Sequence, residues 1–568
     1  MEPEDLIRIA HGEQPADLLL KNARLVNVYS GEIYPTQIAI AGEQVAAVGE
    51  GYEAVETLDL EGRYVCPGFI DAHVHIESSM VPPREFARVV IPHGVTTVIS
   101  DPHEIANVLG LEGIRFMLQD AKYGPLSMFV DAPSCVPASH METSGSQLEF
   151  YDLATLLANP WVIGLGEVMN YPAVIHADRR VLQKIQAFNG KVIDGHAPGV
   201  EGVDLNAYCA AGIGSDHECI SLDEALAKLR LGMTIFVREA TNAHNLEALL
   251  GLFKPEFVSR ICLCTDDRHP SDLVDEGSID AMIRAAIAHG VPPVLAIRAG
   301  TLNTAEYFRL RDRGAIAPGK RADLIVFSDL NDLRPELVIR GGRQAAQDGK
   351  MLPWDQPVKG TKARGTINVR WDRLNFSIPA NGTRMRVIGM TPDNLVTESR
   401  ILEPLVRDGC AVADPARDLA KLAVVERHFG TGHVGLGFIQ GLGLKAGALA
   451  GTVAHDHHNI VVAGMDDESM ALAVREIASM QGGMVVVGPE GVRARLALPI
   501  AGLMSDQPLL VVRDQYDQLT AAAFALGSTY HDPFMALSFM ALSVIPHLKL
   551  TDLGLVDVDK FELTSLFV

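Results

Sequence analysis

Tyr64-Val-Cys-Pro-Gly-Phe-Ile-Asp-Ala-His-Val-His-Ile-Glu-Ser78 is the stretch that decides the fold. Its first half, Tyr64–Ile70, is a short apolar run after a charged turn, the mark of a buried strand. Residues two apart on a strand point the same way. His73 and His75 therefore leave the strand end side by side, and two imidazoles so placed can hold one divalent cation. A bare H-x-H is a weak motif, so the rest of the chain must carry the argument.

Downstream, short apolar runs alternate with helical stretches: Val95–Ser100, Ser127–Asp131, Trp161–Gly166, Lys191–Asp194, Gly212–Gly214, Thr234–Val237 and Ile261–Cys264. With Tyr64–Ile70 that makes eight β-α units, which implies a parallel sheet. The span fits a (β/α)8 barrel, typically about 250 residues. The rival is an open doubly wound sheet, but no Gly-x-Gly-x-x-Gly follows an early strand. Alternating runs between Ala16 and Leu60 read as a small antiparallel sheet, and the same texture returns at Gly314–Phe327 and Leu337–Gly342. The expected organisation is a split sheet domain (1–64 plus 315–364), a barrel (65–314) and an α+β domain (365–568) whose strands begin at Gly365–Trp371.

Composition narrows the function. The 568 residues carry 48 basic and 71 acidic side chains, a net charge of −23. That balance opposes a polyanion, since nucleic-acid affinity is built on phosphate neutralisation, and it disfavours an anionic membrane surface. A small-molecule substrate is expected. Seven scattered cysteines without a C-x-x-C pair point to reduced thiols in the cytoplasm. The first residues lack a signal-peptide pattern, and the apolar stretch near Phe534–Ile545 is too short to span a bilayer. A homodimer is the expected oligomer.

Functional groups of a (β/α)8 barrel sit at the C-terminal ends of its strands. Here those ends deliver His73 and His75, Asp101-Pro-His103-Glu104, Glu167, His196, Asp216-His217-Glu218, Arg238-Glu239 and Asp266-Asp267. Four histidines and two carboxylates suit two adjacent cations. Glu167 bridges them; His73, His75 and Asp266 complete one site, His196 and His217 the other. Nitrogen and oxygen donors without thiolate suit Mn, Fe or Zn. A bound water's pKa would fall from ~15.7 toward ~7, and Asp266 lies where it can take that proton.

These motifs resemble the amidohydrolase superfamily: Pro67–His75, single histidines on strands 5 and 6, an aspartate on strand 8, and the closing Pro318-Gly-Lys-Arg-Ala-Asp323. More narrowly, His75–Met80, Ser100–Asn107, Gly164–Met169, Asp194–Pro198 and Ala454–Asn459 resemble the bacterial adenine deaminases of purine salvage. The resemblance implies hydrolytic deamination of free adenine to hypoxanthine and ammonia. It implies a binuclear centre of Mn2+ first, with Fe2+ or Zn2+ as alternatives, held by His73, His75, Glu167, His196, His217 and Asp266. Asp101 matches an acidic position of the family tied to proton transfer.

Attack at C6 of adenine needs protons on N1 and on the leaving amine, hence a carboxyl beyond the metal ligands. Asp101, Glu77 and Glu239 are the candidates, with Asp101 preferred because it ends the strand beside the H-x-H strand. Asp101 could instead cap a helix over Glu104–Leu118, Glu77 could orient a metal histidine, and Arg238 could pair with Glu239 or an aspartate. Glu77, Arg238 and Glu239 are the expected substrate contacts. Ala454-His-Asp-His-His458 reads as a third metal site, a group reaching the barrel mouth, a polar helix start or an interdomain contact. Nucleic-acid deaminases carry H-x-E with a later P-C-x-x-C, which is absent. An N-acetyl amino sugar phosphate deacetylase and a non-catalytic metal-dependent sensor are the other readings.

Overall fold

The computed structural model describes residues 1–354, 363–391 and 396–568. Residues 355–362, expected at the tail of the split sheet domain, and 392–395 lie outside the described residues. The architecture is a (β/α)8 TIM-like barrel with a split sheet domain and an additional C-terminal α+β domain.

The barrel strands are β1 (Phe69–Val74), β2 (Val95–Ser100), β3 (Ser127–Ala132), β4 (Val162–Val168), β5 (Val192–Gly195), β6 (Ser215–Asp216), β7 (Thr234–Arg238) and β8 (Ile261–Cys264). They are buried on both faces, which is why they read as continuous apolar runs rather than alternating ones. Strands β1–β5 form one parallel sheet and β6–β8 another. Backbone hydrogen bonds join the two. Gly214 N–H donates to Ile193 O at 2.9 Å on one side. On the other, Asp266 N–H donates to His73 O at 3.0 Å and His75 N–H to Asp266 O at 3.3 Å. The seam that closes the barrel is therefore made by residues of the predicted metal cluster.

Three local expectations change. Tyr64–Ile70 is not one strand: Tyr64–Pro67 pairs antiparallel with Leu324–Phe327 in the small sheet, and the chain turns into β1 after Gly68. A side chain at Gly68 would strike Thr96, so the crossover between sheets needs glycine there. Strand β6 is Ser215–Asp216 rather than Gly212–Gly214; Gly212 has φ +97°, outside strand geometry. The helix expected over Glu104–Leu118 is two helices, His103–Leu109 and Leu111–Ala121, broken at Gly110 with φ +59°.

The small sheet has nine strands and joins Ala16–Pro67 to Leu324–Met351, so both pieces of chain build one sheet. The C-terminal part is built on an eight-stranded sheet running from Glu398–Leu402 at one edge to Gly491–Ala497 at the other. Helix Asp467–Ser479 packs on it through Met470, Ala473, Val474 and Ile477, and Asp466 caps it by accepting from Ser469 N–H at 2.7 Å. Gly365–Trp371 forms no strand; its backbone lies beside Arg427, where Asn368 N–H donates to Arg427 O. Among the described residues, no helix is long and apolar enough to cross a membrane.

This domain covers the barrel mouth. Ser505 N–H donates to Met80 O at 2.7 Å, Asn459 Nδ2 donates to Thr143 O at 2.8 Å, and His269 Nδ1 pairs with Asp532 at 2.7 Å. Ala454–Asn459 is a loop between the antiparallel strands Ala448–Gly451 and Ile460–Gly464, not a helix start. Phe534–Ile545 folds as a short helix and a following turn over the same opening.

Candidate metal centre at the barrel mouth

His73, His75, Glu167, His196, His217 and Asp266 meet at the C-terminal rim. His73 is the fifth residue of β1 and His75 follows its end, so both rings leave on one face. Their Nε2 atoms lie 3.1 Å apart. His75 Nε2 is 3.2 Å from Glu167 Oε1 and 3.1 Å from Asp266 Oδ1, and His73 Nε2 is 3.7 Å from each. The other Glu167 oxygen faces His196 Nδ1 at 2.7 Å and His217 Nε2 at 3.3 Å. Glu167 thus turns Oε1 toward His73, His75 and His103, whose Nδ1 is 3.3 Å away, and its other oxygen toward His196 and His217.

The neighbours fix these groups. His75 Nδ1 contacts Asp101 O at 2.8 Å, which turns Nε2 toward the cluster. Asp216, just before His217, accepts from Ala197 N–H at 2.7 Å and from Lys228 Nζ at 2.9 Å, tying the His196 and His217 strand ends together. Arg238 pairs with both Glu218 oxygens and donates to Asp266 Oδ2 at 2.8 Å.

Burial works against charge throughout, so the local pairings decide each protonation state. Burial alone would raise Glu167 and Asp266, yet both are held well below the usual carboxylate range. Hydrogen bonds from His196, His217 and His75 do this for Glu167, and His75 with Arg238 for Asp266. Burial disfavours a charged His217, but Glu167 beside it lifts the ring to about 9. His73 goes the other way, pushed well down by burial and by the charges of His217 and His75.

The donors fit a pair of divalent cations. His73, His75 and Asp266 each offer a ligand atom within 4.8 Å of the others, and so do His73, Glu167 and His217. Two imidazole nitrogens facing each other at 3.1 Å cannot both present a proton, whereas one cation takes both lone pairs. Nitrogen and carboxylate donors suit Mn, Fe or Zn.

The remaining predicted residues fall differently. Arg238 lines the cavity, and its guanidinium is committed to an aspartate, Asp266, as one alternative expected, and to Glu218 rather than Glu239. Glu239 points to the other side of β7, as strand alternation dictates, and accepts from Leu246 N–H at 2.7 Å and from His244. Glu77 is buried behind the cluster, accepting from Ile105 N–H at 3.2 Å, and burial pushes it up to about 7. Asp101 does not cap a helix: its Oδ2 accepts from Glu167 N–H at 3.1 Å. None of Glu77, Asp101 and Glu239 lines the cavity.

Residues without an assigned role in the sequence do line it: His103, Glu104, Glu218 and Asp267 from the barrel, with His455, Asp456 and Phe539 from the C-terminal domain. Glu218 and Asp267 adjoin His217 and Asp266, a signal already in the strand ends. The C-terminal contributors had only the histidine cluster to mark them. Cys262 and Cys264 are buried in the barrel, and burial lifts the Cys262 thiol to about 12.

Comparison with known proteins places this chain in a family. The amidohydrolase family model matches residues 64–345, and the adenine deaminase C-terminal domain model matches residues 394–562. An adenine deaminase of Desulfatibacillum aliphaticivorans is 50% identical over 569 residues, covering 100% of both chains. Adenine deaminase 2 of Carboxydothermus hydrogenoformans is 47% identical over 99% of both. A solved adenine deaminase matches 58% of this chain and 99% of its own at 22% identity, with a TM-score of 0.46. On the full-length identity, this chain belongs to the adenine deaminase family of the amidohydrolases.

Proposed function

We propose that the protein hydrolyses adenine to hypoxanthine and ammonia, with His73, His75, Glu167, His196, His217 and Asp266 holding a pair of divalent cations. Full-length identity of 50% to a named adenine deaminase carries the reading, and the convergence of the six side chains supports it. Mn2+ is the preferred ion, with Fe2+ and Zn2+ as alternatives for this donor set. When bound, the cations supply Lewis-acid activation of water near neutral pH.

The chain's own groups supply the proton steps. Asp266 is ionised, held by Arg238, and sits where it can take the proton of the attacking water. Asp267 lines the same cavity, and burial together with the Asp266 charge pushes it toward its protonated form. It is the carboxyl we assign to N1. Glu218 is committed to Arg238 and orients that guanidinium. Asp101, the family position expected to move a proton, stands outside the cavity lining and accepts from Glu167 N–H. Met169, Met535, Leu542 and Ile545 give the flat purine an apolar wall.

The test is ammonia release from adenine by manganese-loaded protein. Release from N-acetylglucosamine-6-phosphate but not adenine would exchange this reading for the deacetylase one. We take the protein to work in the cytoplasm as a homodimer.

A further inference from the structure

The loop Ala454–Asn459 is clamped to the barrel through Glu104. His455 Nδ1 pairs with one Glu104 oxygen at 2.6 Å, and His458 Nε2 pairs with the other. Held at both ends, the loop presents Asp456 to the cavity. Asp456 Oδ2 is buried and accepts no hydrogen bond. A buried acceptor left unsatisfied is costly, and a ligand donor removes that cost.

His103 relates its place to the metal cluster. The ring stands between them, with Nδ1 3.3 Å from Glu167 Oε1 and Nε2 3.9 Å from Asp456 Oδ1. Glu167 and Asp456 thus face opposite edges of one imidazole ring, and all three line the cavity, so a flat ligand lying alongside His103 reaches from the cluster to Asp456. Beside it, the His455 ring stacks on Phe539 with centroids 4.6 Å apart and planes 11° from parallel, so the wall next to the carboxylate is flat.

We infer that Asp456, delivered by the C-terminal domain, accepts the imidazole N–H of a free purine base and so selects the base over its N9-substituted forms. The inference rests on the adenine reading above. An unsubstituted purine carries one N–H on its five-membered ring, and substitution at N9 removes that donor while adding bulk. A polar site left unpaired rejects the deficient analogue far more strongly than an apolar pocket does.

Full-length, manganese-loaded protein should be assayed for ammonia release from adenine and from 9-methyladenine. The wild type should prefer adenine by at least about 100-fold in kcat/KM. Asp456→Ala should raise KM for adenine at least about tenfold with a smaller change in kcat, and compress that preference by a similar factor, with metal content per chain unchanged. Comparable wild-type turnover of the two bases overturns the inference and leaves the adenine reading standing, whether or not the variant folds. So does a variant with unaltered KM and preference. No turnover of adenine by the metal-loaded wild type removes both.

Discussion

Asp101 Oδ2 accepts the backbone N–H of Glu167 at 3.1 Å, so the residue that follows β2 supports a residue of β4 at the centre of the cluster. Gly166 makes this approach possible, because a side chain there would overlap the Asp101 carboxylate. Asparagine at 101 keeps the shape and loses the charge. Asp101→Asn should lower kcat for adenine by about 10- to 100-fold while both metals remain, read by turnover and elemental analysis together. Full turnover in the variant would remove Asp101 from the account.

Glu167 turns one oxygen toward His75 and the other toward His196, so its loss cannot be confined to one cation position. Glu167→Gln should leave less than about one metal per chain after supplementation, since a neutral amide cannot bridge two dications. Mass spectrometry of the folded variant would show two metals if the bridge were placed elsewhere.

Lys228 is fully buried, with Asp216 Oδ2 at 2.9 Å and Glu224 Oε1 at 2.8 Å. Replacing it with methionine leaves two buried carboxylates without their cation. Lys228→Met should cost about 3–5 kcal/mol of stability. Because Asp216 also holds Ala197 N–H beside His196, metal affinity should fall with it. A variant with wild-type Tm and metal content would show that the ammonium is dispensable.

Glu142 is buried beneath Ser543, and burial raises it from its usual 4.5 to about 8. The folded chain keeps this proton across that window while the unfolded chain releases it, so unfolding gains ground as pH rises from about 4.5 to about 8. Its contribution is therefore whole at acidic pH and lost above the folded value. Glu142→Gln removes this term, and its Tm relative to wild type should increase steadily between pH 5 and pH 8.5. Parallel Tm profiles for the two proteins would refute the assignment.

The metal-competent rim was legible because a parallel barrel converts strand ends into one circle of neighbours. His73 and His75 needed only the two-residue period of a strand, and Glu167, His196, His217 and Asp266 needed only their places after apolar runs. Glu239 shows the limit. It follows Arg238 directly, yet one step along a strand reverses the face, and it faces a loop rather than the cavity. Asp101 shows another: its residue type fits proton transfer, helix capping or support of a neighbour, and packing ruled out the cap and showed the contact with Glu167.

The sequence by itself determined the barrel and the family and singled out the six side chains that meet at the rim, since periodicity and local motif are properties of neighbours along the chain. Tertiary structure decided among the alternatives those motifs left open: Arg238 serves Glu218 and Asp266, Asp267 faces the cavity, and the Ala454–Asn459 loop brings Asp456 to the barrel mouth. Those relations join segments far apart in sequence. They are fixed by which buried charges must find partners once the core has closed, and no local pattern encodes that.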